Sequence, residues 1–392
     1  MLSSYLIFAS LASLALGSGE GNETLTGGNG ETNEPSTGGN GEPNETFAGA
    51  TSENRTLDEI HQAALAEGGV VTVWHGGDEV DQQQALKQAF EARFKGMTLN
   101  ITVDLSKYHD VRVDQQLAGN GSVYVDSVIL QTLHDYPRWA QDGALLSYAP
   151  AGFDAVDPAF KDENANWYGV YVFFWSNGWN SNKLQGINPP KEYTDWLRPE
   201  FKDKLVLTYP HDDDAVLYAF HLIMEQYGEE WFDSLLQQKP LWVRGTATPA
   251  TIAARSNFTQ AAFFAAGGGF GSSPPLNFSQ PTQGKYVSWA QYAGILKNAP
   301  HVEGAKLLHN YLLSKEFQSA SGLWSVRRDI PTPAGYPGLW NETATDPTGF
   351  AKFMADRAAV ERLRFKFEAR LGLAEGLDPI EDAINSTWAL RK

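Results

Sequence analysis

The stretch Val70-Val71-Thr72-Val73-Trp74-His75-Gly76-Gly77-Asp78-Glu79-Val80-Asp81 decides how this chain folds. Its first four residues are β-branched and suit a buried strand, Gly76-Gly77 permits a tight turn, and Glu79 to Lys95 has the spacing of an amphipathic helix. The pattern predicts a strand, a loop and a helix. In open α/β sheets, ligands sit in the crevice beyond the carboxyl ends of such strands, where free N–H groups at the helix start are polar handles.

Outward from this unit the rhythm repeats. Thr56-Leu57-Asp58-Glu59 is a capping-box pattern opening a helix that Gly68-Gly69 closes. Strand candidates Leu99 to Asp104 and Val123 to Leu130 alternate with helical patterns at Glu79 to Lys95, Asp110 to Leu117 and His134 to Asp142, which predicts parallel βαβ units. Trp167 to Trp175 is almost wholly apolar and too short for a helix spanning a domain, so it predicts a strand crossing between two lobes. The alternation then restarts with strands at Lys204 to Thr208 and Leu241 to Val243, helices at Ala215 to Tyr227 and Gly228 to Gln238, and Thr248-Pro249 as a helix start. Gly267 to Pro281 reads as loop and Lys285 to Tyr292 as the return crossing. Helices at Val302 to Leu313, Lys315 to Ser321 and Gly349 to Leu371 are expected to pack back on the first lobe. The expected fold class is α/β with two lobes, each a mostly parallel sheet flanked by helices, joined by two crossing strands. Residues 57–174 and 289–392 would form lobe 1, and residues 175–288 lobe 2.

Among 392 residues, 42% hydrophobic, no run of eighteen apolar residues follows the N-terminus, which excludes a membrane span there. Residues 1–17 are uncharged, with an apolar run from Tyr5 to Leu16 and Ala15-Leu16-Gly17 as a cleavage site. They read as a signal peptide lacking a basic start; a short buried segment is the alternative. Residues 18–56 are rich in Gly, Asn, Glu, Thr and Ser, and Thr26-Gly27-Gly28-Asn29-Gly30-Glu31 recurs from Thr37 to Glu42. This composition predicts a disordered, dispensable spacer.

A net charge of −17 argues against nucleic acid and anionic membrane surfaces as partners, and its plainest reading is solubility. With no cysteine, stability rests on burial. Nine Asn-x-Ser/Thr sequons begin at Asn22, Asn44, Asn54, Asn100, Asn120, Asn257, Asn277, Asn341 and Asn385. A typical composition gives roughly three by chance, so the surplus predicts a secreted, extracellular glycoprotein of eukaryotic origin, unless the sites stay unoccupied.

Three further patterns recur in a fixed order from Leu57 to about Gly338. They are Val71-Thr72-Val73-Trp74 with its glycine pair; Trp196-Leu197-Arg198-Pro199-Glu200-Phe201-Lys202-Asp203-Lys204-Leu205-Val206-Leu207 followed by Pro210; and Asn298-Ala299-Pro300-His301-Val302-Glu303-Gly304-Ala305 with Leu313-Ser314-Lys315-Glu316-Phe317-Gln318. In this order the chain resembles the type II periplasmic solute-binding fold, nearest the extracellular binding proteins of bacterial ABC importers for ferric iron, phosphonates, thiamine and small organic ions. The resemblance implies two α/β lobes that capture a small molecule in the cleft by hinge closure, with no catalysis and no cofactor. Together with the export signal and sequons it suggests a secreted fungal member, whose transporter or receptor partner is unspecified. Iron-binding members use a histidine or acid in the first loop and two adjacent tyrosines late in the second lobe. Asp78 lies near the first position, but the adjacent aromatic pair is Phe263-Phe264, which has no phenolate, so bare ferric ion is disfavoured.

The candidate ligand-binding residues sit at predicted strand ends. Trp74, His75, Gly76, Gly77 and Asp78 would present an aromatic ring, an imidazole, backbone N–H groups and a carboxylate; a capped helix entry is the alternative. Gln131 and Thr132 would add neutral hydrogen bonds, or form only a loop turn. Tyr209, His211, Asp212 and Asp213, with Asp214, would face them from the other lobe, where clustered carboxylates suit an organic cation or a metal chelate. The alternative is a helix cap at Asp214 with solvated neighbours. Arg244 and Thr246 would clamp a carboxylate or phosphate, or Arg244 would pair with local acids. Of the aromatics Trp74, Trp175, Trp179, Phe263, Phe264 and Phe270, most should be core, and Trp74 and Trp175 are the better cleft candidates. No metalloenzyme or EF-hand spacing predicts a metal site, and no Gly-x-Ser-x-Gly elbow accompanies His75-Gly76-Gly77.

A non-enzymatic binder selecting cations or neutral polar molecules is therefore expected, because full carboxylate charges outweigh the roughly half-unit charges of helix ends. Two alternatives stay open. A secreted hydrolase or lyase would use the His75/Asp78 and His211/Asp212 loops across the cleft, and a cleft carboxylate and histidine within hydrogen-bond reach of a common point would favour it. A cell-wall or host-interaction protein would have a cleft filled by its own side chains.

Overall fold

The computed structural model describes residues 50–119, 123–266 and 274–385. The expected signal peptide, the repeats, Phe270 and the sequons at Asn22, Asn44 and Asn120 lie outside the described residues. In chain order the first part is β1 (Thr51–Ser52), α1 (Leu57–Ala66), β2 (Val70–Gly76), α2 (Gln84–Arg93), β3 (Thr98–Asp104), α3 (Ser106–Ala118), β4 (Ser127–Leu130), α4 (Asp135–Gln141), β5 (Tyr148–Ala149) and β6 (Tyr168–Phe174). Next come β7 (Ser176–Asn180), β8 (Leu205–Thr208), α5 (Asp214–Tyr227), α6 (Glu229–Gln237), β9 (Leu241–Val243), α7 (Thr248–Ala254), β10 (Ala262–Ala266) and β11 (Leu276–Ser279). The chain ends with β12 (Ser288–Ile295), α8 (Val302–Leu313), α9 (Lys315–Ala320), α10 (Gly349–Ala355), α11 (Arg357–Leu371) and α12 (Pro379–Asn385).

Two five-stranded sheets form the lobes, in the orders β3-β2-β4-β12-β6 and β11-β7-β10-β8-β9. Each is mixed rather than mostly parallel. In the first, β2 runs parallel to β3 and β4 while β12 is antiparallel to β4 and β6. In the second, β8 is parallel to β9 and β10 while β7 is antiparallel to β10 and β11. In each sheet one strand next to a crossing runs against the βα direction, β12 in the first and β7 in the second, while β6 and β11 run with it. The first crossing passes through Trp175, whose N–H donates to Val287 of the return segment at 3.1 Å, so the two crossings lie side by side.

Local sequence explains most of these elements. Thr56 and Glu59 make both arms of the capping box at α1, and the β-branched run of β2, buried from Val71 to Val73, lies between β3 and β4 inside its sheet. β7, β10 and β11 were not expected as strands. Gly178 of β7 sits beneath the Phe263 ring of β10, where an added Cβ would lie 2.2 Å from Cε2, so the packing of that ring over the strand requires glycine.

Two expected boundaries move. β1 pairs with β5, Glu53 accepts from Tyr148 Oη at 2.6 Å and from Arg55, and Arg55 Nη1 reaches Glu303 at 2.8 Å, so residues 51–56 belong to the fold rather than to a spacer. Helix α10 bridges, with Phe350 packed on Trp289 of β12 and on Tyr218 of α5. Helix α11 packs on the second lobe instead of the first. Phe367 meets Phe220 and Phe232 at 5.8 and 5.1 Å, and Arg364, Lys366 and Arg370 pair with Asp214, Glu229 and Asp233. The cause is complementarity: the basic face of α11 meets the acids of α5 and α6.

Asn54, Asn100, Asn257 and Asn341 are exposed and Asn277 is half-buried; Asn100 and Asn277 lie on β3 and β11, the outermost strands of their sheets. No described helix is long and apolar enough to cross a membrane.

Candidate functional site

The loops after β2, β3 and β4 converge with those after β8 and β9 on a cavity of about 100 Å³ between the lobes. Gly76 to Asp78, Gln82, Gln83, Leu105 to Lys107, Gln131 and Thr132 form one wall, and Asp212 to Asp214, Thr246, Ala247 and Ala250 the other. Phe173, Trp175, Trp289 and Gln291, on the crossing strands, complete it.

The walls touch directly. Asp78 Oδ2 accepts from Ala247 N at 2.7 Å, Thr251 Oγ1 donates to Glu79 at 3.3 Å, and Arg244 Nη2 donates to Tyr108 Oη at 2.6 Å. Gly245 makes the approach feasible: its φ is +80°, and a Cβ there would lie 2.6 Å from Asp78 Oδ2. Asp213, not Asp214, caps α5, its Oδ1 accepting from Val216 N at 2.9 Å. Asp214 pairs with Arg364.

The acids of the wall differ in electrostatic state. Burial raises Asp212, yet Lys107 and Arg244 outweigh it and hold its carboxyl below the usual range. Burial pushes Asp78 up to about 6, its bonds to Ala247 and Thr246 only partly offsetting this. Asp213 is pushed up to about 7 by burial and then by the charges of Asp214 and Asp78, and Glu79 to about 7 by burial and then by Asp78. Among the described residues, neither Asp78 nor Asp213 is bonded to a cationic side chain. Four polar groups on the wall are buried without a partner: Asp78 Oδ1, the Gln83 amide, Thr132 Oγ1 and Trp175 Nε1. No group of three or more metal-ligating side chains occurs among the described residues.

Of the sequence-predicted residues, the structure places Gly76, Gly77, Asp78, Gln131, Thr132, Trp175, Asp212, Asp213 and Thr246 on the cavity wall. Five others are elsewhere. Trp74 is buried and stacks on His109 at 5.1 Å. His75 is buried within β2, with Nε2 2.6 Å from Tyr171 Oη and Nδ1 2.7 Å from Gly76 O, and burial lowers its imidazole to about 4. Tyr209 is buried and stacks on Trp242 at 6.0 Å, with the His211 ring 5.4 Å from its own. Arg244 is taken up by Asp212, at 2.9 Å, and Tyr108. Neither histidine lines the cavity, so the convergence that a hydrolase or lyase would need does not form. Phe263 and Phe264 are core residues.

Several wall residues escaped the sequence reading. Leu105 to Lys107 follow β3 directly and obey the strand-end rule already applied to Gln131. Trp289 and Gln291 alternate on β12, so the period of two brings both to one face. Gln82 and Gln83 had no distinguishing signal beside Gln84.

Residues 136–324 match the family described as bacterial extracellular solute-binding protein. Among solved structures, the chain resembles the periplasmic binding protein AfuA of Actinobacillus pleuropneumoniae with exogenous fructose-6-phosphate bound, at 19% identity and a TM-score of 0.61, over 78% of this chain and 100% of that one. The substrate-binding protein of an ABC transporter from Agrobacterium tumefaciens aligns at 12% identity and 0.66, over 79% and 96%. Iron-bound HitA of Pseudomonas aeruginosa aligns at 14% identity and 0.58, over 78% and 99%. No curated protein sequence matches the chain. Likeness at such identities concerns the fold, not the ligand. The chain therefore has the two-lobed α/β fold of the type II periplasmic binding proteins, and its residues 136–324 carry the sequence pattern of the bacterial extracellular solute-binding proteins.

Proposed function

We propose that the protein is a solute-binding protein that captures a small cationic or neutral polar molecule between its lobes by hinge closure. The observation that carries this reading is the pair Asp78 and Asp213, which line one cavity from opposite lobes without a cationic partner among the described residues. Trp175, Trp289 and Phe173 add aromatic faces suited to a cation. An anion would find little here: Lys107 and Arg244 are both engaged by Asp212, and the start of α5 is capped by Asp213. The open cavity speaks against a cleft filled by its own side chains.

A thermal-shift screen of amino acids, polyamines, thiamine-like cations, sugars, phosphonates and metal chelates tests the reading. A ligand at a hundred times its Kd adds about 2.7 kcal/mol of stability. We expect a cationic ligand to give the shift and both Asp78→Asn and Asp213→Asn to reduce it. A shift with anions alone, abolished by Arg244→Ala, would reverse the charge assignment, and no shift with any class would overturn the binder.

We further read the protein as an exported glycoprotein, on the uncharged apolar N-terminus and the nine sequons. The suggestion of a fungal origin rests on the export signal and the sequons. Exposure of Asn54, Asn100, Asn257 and Asn341 is compatible with attached carbohydrate. Intact mass of the protein secreted from its own source, before and after glycosidase, checks this; an unchanged mass excludes it.

A further inference from the structure

Gln82 and Gln83 are neighbours on the cavity wall with opposite fates. Gln82 Oε1 accepts from the N–H groups of Asp78 at 2.9 Å and Glu79 at 3.3 Å, so it holds the first loop in shape. Gln83 immediately precedes α2 but its side chain does not cap the helix. It is 1% exposed, and neither Nε2 nor Oε1 of its amide has a hydrogen-bond partner. A buried amide without partners gives up its hydration for nothing, and an apolar side chain of similar length would fill the position without that cost. Asp78 Oδ1, Thr132 Oγ1 and Trp175 Nε1 share the wall and the same condition.

We propose that Gln83 is the specificity-determining residue of this cavity, reading a small cation that carries hydrogen-bond donor and acceptor atoms side by side, as a primary carboxamide or a vicinal diol does. The inference rests on the cavity being the ligand site. A carboxamide offers an N–H donor beside a carbonyl acceptor, so a partner that satisfies both must present the complementary pair. An alkyl diamine only donates, an ester oxygen only accepts, and a bare metal ion would take the carbonyl and leave the NH₂ group orphaned. The neighbours ask for the same mixture: Trp175 Nε1 needs an acceptor and an ionised Asp78 Oδ1 needs a donor. Sites that pair a ligand's polar group reject the analogue lacking it strongly, because the protein group is then left unpaired.

Four matched cations test this on the full chain by thermal shift and NMR titration: glycinamide, 3-amino-1,2-propanediol, 1,3-diaminopropane and glycine methyl ester. Wild type should bind the first two at least tenfold more tightly than the last two. Gln83→Met should erase that preference and, having lost the unpaired amide, should melt higher than wild type when unliganded; Gln83→Leu gives the same comparison if the methionine variant fails to fold. A preference that survives in the variant, or a variant that melts lower with its ranking unchanged, makes Gln83 a structural residue and overturns the inference. Equal binding of all four probes by wild type, weakened by Asp78→Asn, overturns the role of Gln83 while leaving the cation site standing. No binding of any probe overturns the role of Gln83, while the wider screen of polyamines and thiamine-like cations decides the cation site by itself.

Discussion

Lys107 Nζ stands 2.5 Å from Asp212 Oδ1 across the seam between the lobes, and the other oxygen of Asp212 takes Arg244 Nε at 2.9 Å. One acid thus ties a cation from each lobe and withdraws both from any ligand. Lys107→Met should loosen the closed arrangement by about 1 kcal/mol, the pair being partly solvated. Small-angle scattering should show a larger radius of gyration for the unliganded variant, and its bound ligand should leave faster. Identical scattering and release rates would show that the tie does not hold the lobes.

Asp213 should make stability depend on pH in a definable direction. Its folded carboxyl is pushed up to about 7 by burial, then by Asp214 and Asp78, with Lys107 and the Val216 N–H opposing and Arg364 also nearby. The folded state therefore holds this proton more tightly than the unfolded chain does, and stability is lost as pH rises from about 4 through about 7. Asn keeps the helix cap without titrating. Asp213→Asn should match wild type near pH 4 and exceed it by roughly 2–4 kcal/mol at pH 8 in urea unfolding; a difference independent of pH would contradict the assignment.

Beneath the first sheet, Ser127 Oγ meets His309 Nε2 at 2.7 Å and His309 Nδ1 meets Tyr168 Oη at 2.5 Å, all three residues being buried. Burial lowers the His309 imidazole to about 3, so it is neutral and needs one donor and one acceptor. Ser127→Ala and Tyr168→Phe should each cost about 1–3 kcal/mol, and the double variant less than their sum. Additive losses in denaturant titrations would show two independent bonds.

The N-terminal boundary can be located by comparing two deletions. Removing residues 1–55 takes away Glu53 and Arg55, and with them the contacts to Tyr148 and Glu303, whereas removing residues 1–49 spares them. Burial opposes it, but the bonds from Arg55 and Tyr148 hold Glu53 down to about 2, so the pair is favourable at neutral pH. The longer deletion should be less stable by about 1–3 kcal/mol, and equal melting temperatures would return these residues to the spacer.

The parts of this fold that were legible in the sequence are those governed by local pattern. The β-branched run before Gly76 announced an interior strand, and the rule that loops follow parallel strands brought Asp78, Gln131 and Asp213 to one place. Side-chain direction was not legible. His75 and Gln83 are polar residues near the same strand end, yet the first turns into the sheet toward Tyr171 and the second sits on the cavity wall. Helix α11 was misplaced because its weak apolar stripe says nothing of its partners, which are acids far earlier in the chain. The Ala-rich β10 and the short β11 owe their strand conformation to pairing with β7, a long-range cause that composition does not reveal.

The chain passes between the lobes a third time, leaving the seam at Phe350, packed on Trp289, and fastening to Phe220 and Phe232 through Phe367. Two adjacent strands alone act as a door hinge, about which one lobe swings freely. A third strut anchored away from that axis acts as a stay and limits the travel. Nicking the chain in an engineered protease site within residues 342–348 should lengthen the swing, seen as a larger unliganded radius of gyration; no change would mean the strut is slack. On the proposed hinge closure, a stayed door would open to a gap and not to a wide mouth, and passage through it would favour compact solutes over extended ones.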